Sequence, residues 1–369
     1  MTVQSKFQQA YREINAGMIE RDEEINLVMV ALLSGEHVIL VSEPGQGKSM
    51  LADAIVDMFL LPDPAFKYIL NRYTEPAEIL GPIDIPGLKA GDHRHITKGK
   101  LPEAAIAFID ETFKGSSAIL NVLLRILNER KFQNGLTDMA CPLLTCIGAS
   151  NEWGTEAKEL GALFDRFLFR KEMRAISTES NIDRLMFGND VGINLTQKVS
   201  LDELKGAQVE IRQNVLWSPE AKEAAHNIRR KLAAQGIQIG DRRLRKSSLA
   251  CSAQAWLHGN PCVTTDDLEI LSHMWWSDPI SHPQTVAEVV TEVAAPAGMI
   301  AATALAQANE ITRGLDVTNL SDSIAAIEKL TEIATQVKKH SGPRVDEVLL
   351  RIREASQKIR EANMSATGM

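Results

Sequence analysis

The sequence predicts an α/β protein with a parallel β-sheet covered on both faces by helices, followed by a helical domain and a C-terminal helical segment. Over the first 195 residues, short apolar runs alternate with segments of helical spacing, a pattern typical of such sheets. A glycine-rich loop directly follows the first of these runs and opens a helix. After about residue 195 the strand signal stops, which marks the second, helical part.

The predicted domains are residues 1–195, 196–282 and 283–369. The chain has 369 residues, and a domain usually has roughly 100–200. The length therefore allows two or three domains.

The first domain begins with two predicted helices between Phe7 and Leu33, separated by the charged residues 20–24. A strand follows at 37–41, and helical spacing resumes from Met50 to Leu61. The other strand candidates share a short, apolar composition and lie at 66–70, 105–109, 143–149 and 167–169.

Two helix starts are predicted in the second domain, at Ser218-Pro219 and at Thr264–Asp267, where a polar residue can cap the first turn. In the third segment, an apolar stripe from Leu320 to Val337 includes Ile324, and a second stripe runs from Val345 to Ile359. Gly342-Pro343 separates them, so the pattern predicts a helical hairpin. This segment either docks a partner or covers the preceding domain.

The composition is globular, with 44% hydrophobic and 24% charged residues. We expect a cytoplasmic protein without membrane insertion, because no apolar stretch approaches the roughly 20 residues that span a bilayer and no signal-peptide pattern is present. The four cysteines form no C-x-x-C pair, which argues against zinc or disulfides. The net charge of −8 makes nucleic acid an unfavoured partner without excluding a local basic channel.

The glycine-rich loop reads SEPGQGKS at residues 42–49 and has the composition of a P-loop. Its glycines allow backbone amides to close around phosphates, Lys48 can reach the β and γ oxygens, and Ser49 can ligate Mg²⁺. Ser42 stands where the opening glycine is usual. The predicted nucleotide-binding residues are Pro44, Gly45, Gln46, Gly47, Lys48, Ser49, Met50 and Asp110.

Two more apolar runs end in polar side chains. Asp110 and Glu111 follow residues 106–109, at what should be the carboxyl edge of the sheet, where ligands of open α/β sheets bind. There Asp110 would hold Mg²⁺ with Ser49, and Glu111 would orient and deprotonate the attacking water. Asn151 ends the run 146–150 and could contact the γ-phosphate or that water, if its strand lies between the other two.

These motifs resemble those of AAA+ ATPases, and within them the MoxR branch, especially its RavA-like subgroup. The resemblance covers roughly residues 8–280 and rests on the segments PGQGKS at 44–49, TEPAEILGP at 74–82, GKLP at 99–102, FIDE at 108–111 and LLRILNERKF at 123–132. It implies an αβα core with a five-stranded parallel sheet in the order 5-1-4-3-2, a helical lid, and a homo-hexameric ring that binds ATP and Mg²⁺ between neighbours.

The resemblance also implies two β-hairpin inserts, one within Pro82–Lys98 and one around Gln133–Leu136, whose Asn-Gly is itself a hairpin signal. Arg166, in LFDRF at 163–167, matches the arginine finger, with Arg170 as the alternative. Arg242 matches the second sensor, which couples the γ-phosphate to the lid, and Arg243 is its alternative.

Two further features have ordinary explanations. His93 and His95 could ligate a metal, but without a neighbouring acid or cysteine pattern they fit a solvated hairpin strand better. Trp275 and Trp276 could form a docking site, although such aromatic pairs more often pack a lid helix against the following domain.

The function predicted from the resemblance is the remodelling or activation of protein complexes, with a protein client and often a von Willebrand factor A partner. One alternative is a motor directed at nucleic acid, for which Lys89, Arg94 and Lys98 of the first insert offer basic residues. Another is a nucleotide-gated scaffold with little turnover, which Ser42 and the long C-terminal helices leave open. Metal-chelatase relatives are disfavoured, since no metal-specific signal is present.

Overall fold

The structure is a computed structural model that describes residues 2–153, 158–188, 192–294, 297–313, 315, 319–340 and 343–367. Its helices, in chain order, are α1 (Val3–Gly17), α2 (Asp22–Ser34), α3 (Lys48–Asp57), α4 (Pro76–Leu80), α5 (Ile85–Lys89), α6 (Ser117–Glu129), α7 (Lys158–Phe164), α8 (Glu179–Phe187), α9 (Leu201–Asn214), α10 (Pro219–Ala234), α11 (Asp241–His258), α12 (His282–Ala294), α13 (Ala297–Thr312), α14 (Leu320–Val337) and α15 (Pro343–Thr367).

The strands, in chain order, are β1 (Val38–Val41), β2 (Phe59–Leu60), β3 (Phe66–Ile69), β4 (Ile106–Asp110), β5 (Lys131–Asn134), β6 (Thr137–Ala140), β7 (Thr145–Ser150), β8 (Phe169–Glu172), β9 (Val199–Ser200), β10 (Leu216–Trp217) and β11 (Cys262–Val263). Short 3₁₀ turns occupy Leu101–Glu103, Thr112–Lys114 and Asp266–His273.

The core is a five-stranded parallel sheet in the order β3-β4-β7-β1-β8. Numbered along the chain within this sheet, that is the order 5-1-4-3-2 implied by the family resemblance. Every residue of β1 and β7 is buried, as expected for central strands covered on both faces. In the register, Val41 lies beside Ser150, so β1 and β7 end at the same edge of the sheet.

The five predicted strands are all present, with small shifts at their ends. The largest shift is at β8, which starts at Phe169, whereas the apolar run suggested 167–169. Phe167 and Leu168 are instead buried ahead of the strand. The helical segment predicted from Met50 to Leu61 was wrong at its end, since α3 ends at Asp57 and Phe59–Leu60 form β2. The pairs β2–β9 and β10–β11 were not anticipated, because two-residue segments carry no periodic signal.

The second insert is the predicted β-hairpin. Strands β5 and β6 pair antiparallel with Asn134 opposite Thr137, and Gly135 at the tip has a φ of 62°. Leu136 beside it is 90% exposed.

The first insert differs from the expected hairpin. Its base does pair, since the amide of Asp84 donates to the carbonyl of Arg94 and an isolated bridge joins Ile83 to His95. Its tip is the helix α5, because Pro86 lies in the first helical turn, where its missing N–H costs nothing, and could not donate to a strand ladder. The prediction that the first insert is a β-hairpin was therefore wrong, except for the paired residues at its base.

The chain divides into two compact units. The first contains residues 1–217, 238–263 and 273–283, and the second contains residues 218–237, 264–272 and 284–369. In the first unit, α11 packs against α1 through the edge-to-face contact of Trp256 with Phe7, and against α2 through a hydrogen bond from Asn26 to Gln254. Helices α1 and α2, which precede the P-loop, therefore both pack against α11.

In the second unit, Ser218 caps α10 as predicted by accepting a hydrogen bond from the amide of Ala221. The C-terminal helices α13, α14 and α15 share one apolar core. The sequence predicted a hairpin of the last two only, because α13 contributes small residues: Ala297, Ala301, Ala304 and Ala308.

Two details of the predicted C-terminal stripes need comment. Ile324 was placed in the apolar stripe, yet it is 50% exposed, so that assignment was wrong. Gly342, the expected helix break, lies outside the described residues, and α15 begins at Pro343.

Within the described ranges, no single helix has the length and apolarity needed to cross a membrane. Helices α12 and α13 pass that test only as a pair, and they are bent by 112° at the break between them.

Candidate functional site

The glycine-rich loop connects β1 to α3, as a P-loop must. Gly45 and Gly47 have φ values of 83° and 84°, in the left-handed region that favours glycine. A Cβ at Gly45 would meet nothing within 4 Å, so backbone conformation rather than space requires glycine there. Gly47 is the N-cap of α3, whose first turn offers backbone N–H groups to an anion.

Lys48 begins α3 and is buried. Its Nζ donates to the carbonyl of Ser42 at 2.7 Å, to the Ser42 hydroxyl at 3.0 Å and to Oδ1 of Asn151 at 2.8 Å. Burial lowers the pKa of Lys48, opposed by the nearby charges of Asp110 and Glu111. Ser42, the unusual opening residue, thus supplies an extra acceptor for the P-loop lysine.

Three of the other predicted loop residues are accessible, unlike this lysine. Pro44, Ser49 and Met50 are exposed, and Met50 lines a cavity of about 510 Å³ together with Gly17 and Ile193. This volume lies in the range typical of small-ligand pockets.

Asp110 and Glu111 end β4, two strands away from β1. Oδ1 of Asp110 accepts the backbone N–H of Glu111 at 2.8 Å. Glu111 has a φ of 50°, which is costly for a residue with a Cβ and tends to occur at functional sites. The buried Thr112 fixes this turn by donating to the carbonyl of Ile109.

Asn151 connects the two motifs, since β7 lies between β4 and β1. Its Nδ2 donates to Oε1 of Glu111 at 2.7 Å while its Oδ1 accepts from Lys48. The same Glu111 oxygen accepts from Lys114 at 3.0 Å. Oε2 of Glu111 is buried and has no hydrogen-bond partner among the described residues. A buried carboxylate oxygen in that state is suited to a water or another proton donor.

Arg21, which the sequence analysis did not single out, contacts the P-loop at Gln46. Only 5% of the residue is exposed, and its guanidinium donates to the carbonyl of Gln46 at 3.3 Å and to the Gln46 side chain at 3.2 Å. It precedes α2 in a turn that no motif describes, so only the three-dimensional contact identifies it.

The predicted arginines gather in a different place. Arg166, Arg242, Arg243 and Lys246 line one cavity of about 260 Å³ with Asp165, and no described P-loop residue lines it. Arg243 is nearly buried and pairs with Asp165, whereas Arg242 is exposed. Nε of Arg166 is buried with no hydrogen-bond partner among the described residues, and burial with the neighbouring Arg242 lowers the pKa of Arg166.

Arg170, the alternative finger, is fully buried. Its guanidinium lies 4.1 Å from the ring centre of Phe164 and donates to the carbonyls of Phe167 and Trp276. Trp275, also buried, donates to Ser247 of α11. Trp276 packs on Phe164 and Trp153. The tryptophan pair therefore packs α11 against residues that precede it, whereas the following domain was expected.

His93 and His95 line a third cavity, of about 360 Å³, between the two inserts. Their ring centres are 6.5 Å apart, and Nδ1 of His95 contacts the carbonyl of Gly81 at 2.7 Å. Among the described residues, no group of three or more His, Cys, Asp or Glu side chains is placed to hold a metal ion.

Comparison with protein families assigns most of the chain. Residues 5–213 match the model described as the MoxR domain in the MoxR-vWA-beta-propeller ternary systems. The chain belongs to the MoxR family of AAA+ ATPases. Residues 213–290 of this MoxR protein match an AAA lid domain.

The relatives of the MoxR protein include two uncharacterized proteins of Methanocaldococcus jannaschii. One is 38% identical over 72% of this chain and 70% of the relative, and the other is 37% identical over 75% and 71%. A structural protein of Acidianus two-tailed virus is 31% identical over 49% of this chain and 30% of its own length.

The crystal structure of a proposed ATPase from Cytophaga hutchinsonii has a TM-score of 0.61 with the MoxR protein. The match covers 79% of this chain and 95% of that one at 17% sequence identity, so it supports the fold alone.

Proposed function

We propose that this MoxR protein hydrolyses ATP with Mg²⁺ and uses the cycle to remodel or activate a protein complex, as a hexameric ring of the RavA-like type. The observation that carries the proposal is the single chain of hydrogen bonds from Lys48 through Asn151 to Glu111 at the carboxyl edge of the sheet. It joins the phosphate-binding lysine to the expected base.

The residues present fit a nucleotide with Mg²⁺. The left-handed Gly45 and Gly47 open the loop to phosphates, and Lys48 supplies a cation. Ser49 and Asp110 would hold the Mg²⁺, which neutralises charge on the phosphate oxygens. The cavity beside Met50 would hold the adenine ring of the nucleotide, and the methionine side chain would form an apolar wall.

Glu111 would act as the general base. Asn151 and Lys114 both donate to Oε1, which leaves Oε2 as the atom that would take a proton from the attacking water. Asn151 would thereby orient the base and, once Lys48 turns to the phosphates, contact the γ-phosphate or the water. This arrangement favours hydrolysis over a scaffold with little turnover.

The arginine cavity supports a ring. Because no described P-loop residue lines it, we infer that Arg166 and Arg242 act on the nucleotide of a neighbouring subunit. Arg170 is too buried to reach a neighbour. Arg243, held by Asp165, would position α11 and therefore Arg242. Four basic side chains in one cavity would complement the negative charge of a nucleotide bound to the neighbouring subunit.

The partner would be a protein with a von Willebrand factor A domain, and the ternary systems named by the family model add a β-propeller protein. The client would be a protein complex that the ring engages through its inserts, where Leu136 is 90% exposed.

The proposal is tested by measuring phosphate release per subunit against protein concentration, with mass by native mass spectrometry. If catalysis needs a neighbour's arginine, the rate per subunit should rise with assembly and reach a plateau in the hexamer. A rate that is independent of concentration across the monomer-to-hexamer transition would contradict hydrolysis in trans.

A further inference from the structure

Helix α8 exposes large apolar side chains in the part of the chain that the structure describes. Along its described length, Glu179 to Phe187, none of its residues is buried. Leu185, Met186 and Phe187 are 62%, 65% and 76% exposed. Single exposed apolar side chains are ordinary, but three consecutive large ones form a patch of the kind found at protein interfaces.

The helix is nevertheless held firmly through its polar residues. The Glu20 carboxylate accepts hydrogen bonds from the amides of Ser177 and Thr178 and from Nδ2 of Asn181. Arg184 donates to the carbonyl of Ala16 at 2.8 Å. These contacts fix the first turn and one side of α8, while Leu185, Met186 and Phe187 in its last turn stay exposed.

The same turn that holds α8 also holds the P-loop. Glu20, with a φ of 52°, is followed directly by Arg21, whose guanidinium donates to Gln46. The chain of contacts from Gln46 through Arg21 and Glu20 to the start of α8 therefore places this helix beside the nucleotide-binding edge.

We propose that Leu185, Met186 and Phe187, the α8 patch, dock onto a second copy of this chain in the ring. This inference rests on the proposed function. The copy that brings Arg166 to the nucleotide must cover the surface around the P-loop, and α8 is joined to that surface through Glu20 and Arg21. A stable interface takes about 800 Å² from each partner, and three such side chains supply a substantial share.

The charges on two faces of the chain also support a second copy as the partner of the α8 patch. The nucleotide-binding edge carries Glu43, Asp110 and Glu111 beside Lys48 and Lys114, a net excess of one negative charge. The cavity around Arg166 and Arg242 has four basic residues and one acid, Asp165. Opposite charges on the two faces favour head-to-tail contact between copies, which is the contact that closes a ring.

The test uses the full chain with ATP and Mg²⁺, in a Glu111→Gln background that slows turnover. Mass is followed by native mass spectrometry and analytical ultracentrifugation over a range of protein concentrations. Met186→Ser with Phe187→Ser is compared with Val209→Ser, which removes an apolar side chain that is 48% exposed on α9. ADP affinity and thermal unfolding show that each variant is folded.

The double variant should raise the concentration for half-assembly by about a hundredfold, because burial of each of the two large apolar side chains contributes about tenfold to association. Val209→Ser should assemble like the parent. Normal assembly of the double variant would overturn the proposal and leave the patch for a different protein, and equal loss in both variants would also overturn it. A parent chain that stays monomeric with ATP would refute the ring itself, a result distinct from failure of the α8 patch alone.

Discussion

Replacing Asn151 with alanine should slow hydrolysis far more than it weakens nucleotide binding. The change removes the donor at 2.7 Å from Oε1 of Glu111 and the acceptor at 2.8 Å from Nζ of Lys48. Lys48 keeps its two contacts with Ser42, so the P-loop lysine stays anchored. Glu111 keeps only Lys114 to orient it.

The size of the effect follows from the bond that is lost. A hydrogen bond to a charged group is worth about 1.5–3 kcal/mol, which corresponds to about a 10- to 150-fold change in rate if the bond matters only in the transition state. The side chain of Glu111 is 17% exposed, so solvent screens this bond only in part. We expect kcat to fall within that range while ADP affinity changes less than about threefold.

The assay pairs steady-state phosphate release with calorimetric ADP binding, at protein concentrations where the parent is fully assembled. Asn151→Asp is the matched control, since it keeps the shape but places an oxygen opposite Oε1 of Glu111, and it should be at least as slow. Unchanged kcat in the alanine variant would refute the orienting role. An equal loss of affinity and rate would show that Asn151 acts through Lys48 instead.

Three further outcomes are expected. Lys48→Ala should abolish ADP binding in calorimetry, whereas Glu111→Gln should bind ATP and release phosphate much more slowly; equal loss of binding would count against Glu111 as the base. Burial lowers the pKa of His37, whose Nδ1 accepts a hydrogen bond from the amide of Cys146. The imidazole therefore stays neutral in the folded state, whereas in the unfolded state it takes up a proton below about pH 6.5. Stability should therefore fall by about 1.4 kcal/mol per pH unit below 6.5, measured by urea unfolding, and His37→Gln should lose this slope; the same slope in both would refute it. A chain ending at Ala294 should keep ATPase activity, because the core of α13–α15 is confined to residues 297–359, and an insoluble product would show that these helices are structural.

The sequence predicted the sheet and the P-loop edge well because short, continuous apolar runs and a glycine-rich turn are local signals. Ser42, Lys48, Asp110 and Glu111 could each be placed at a strand end, and strand ends of a parallel sheet meet at one edge. Asn151 required the strand order as well, which the residues alone leave open. Its contacts with both motifs follow once β7 lies between β4 and β1.

Other features depend on contacts between distant segments and leave no local signal. Arg21 lies in an unremarkable charged turn, yet its guanidinium reaches Gln46, 25 residues later. Helix α13 was missed because its buried face is built from alanines, which give weak periodicity. The helix α5 in the first insert was hidden by the expectation of a hairpin, although Pro86 argued for a helical turn.

The proposed action of Arg166 on a neighbouring nucleotide has one further consequence, that a complete site would take residues from two subunits. In a random equimolar mixture of Glu111→Gln and Arg166→Ala chains, a site is complete when its own chain carries Glu111 and its neighbour carries Arg166. That holds at about one quarter of the interfaces of a closed ring.

The direct measurement is phosphate release from that mixture, with co-assembly verified by native mass spectrometry. Each variant alone should be nearly inactive, and the mixture should recover up to about a quarter of the wild-type rate per site. Mixed rings that form but recover no activity would contradict a catalytic role for Arg166 in trans.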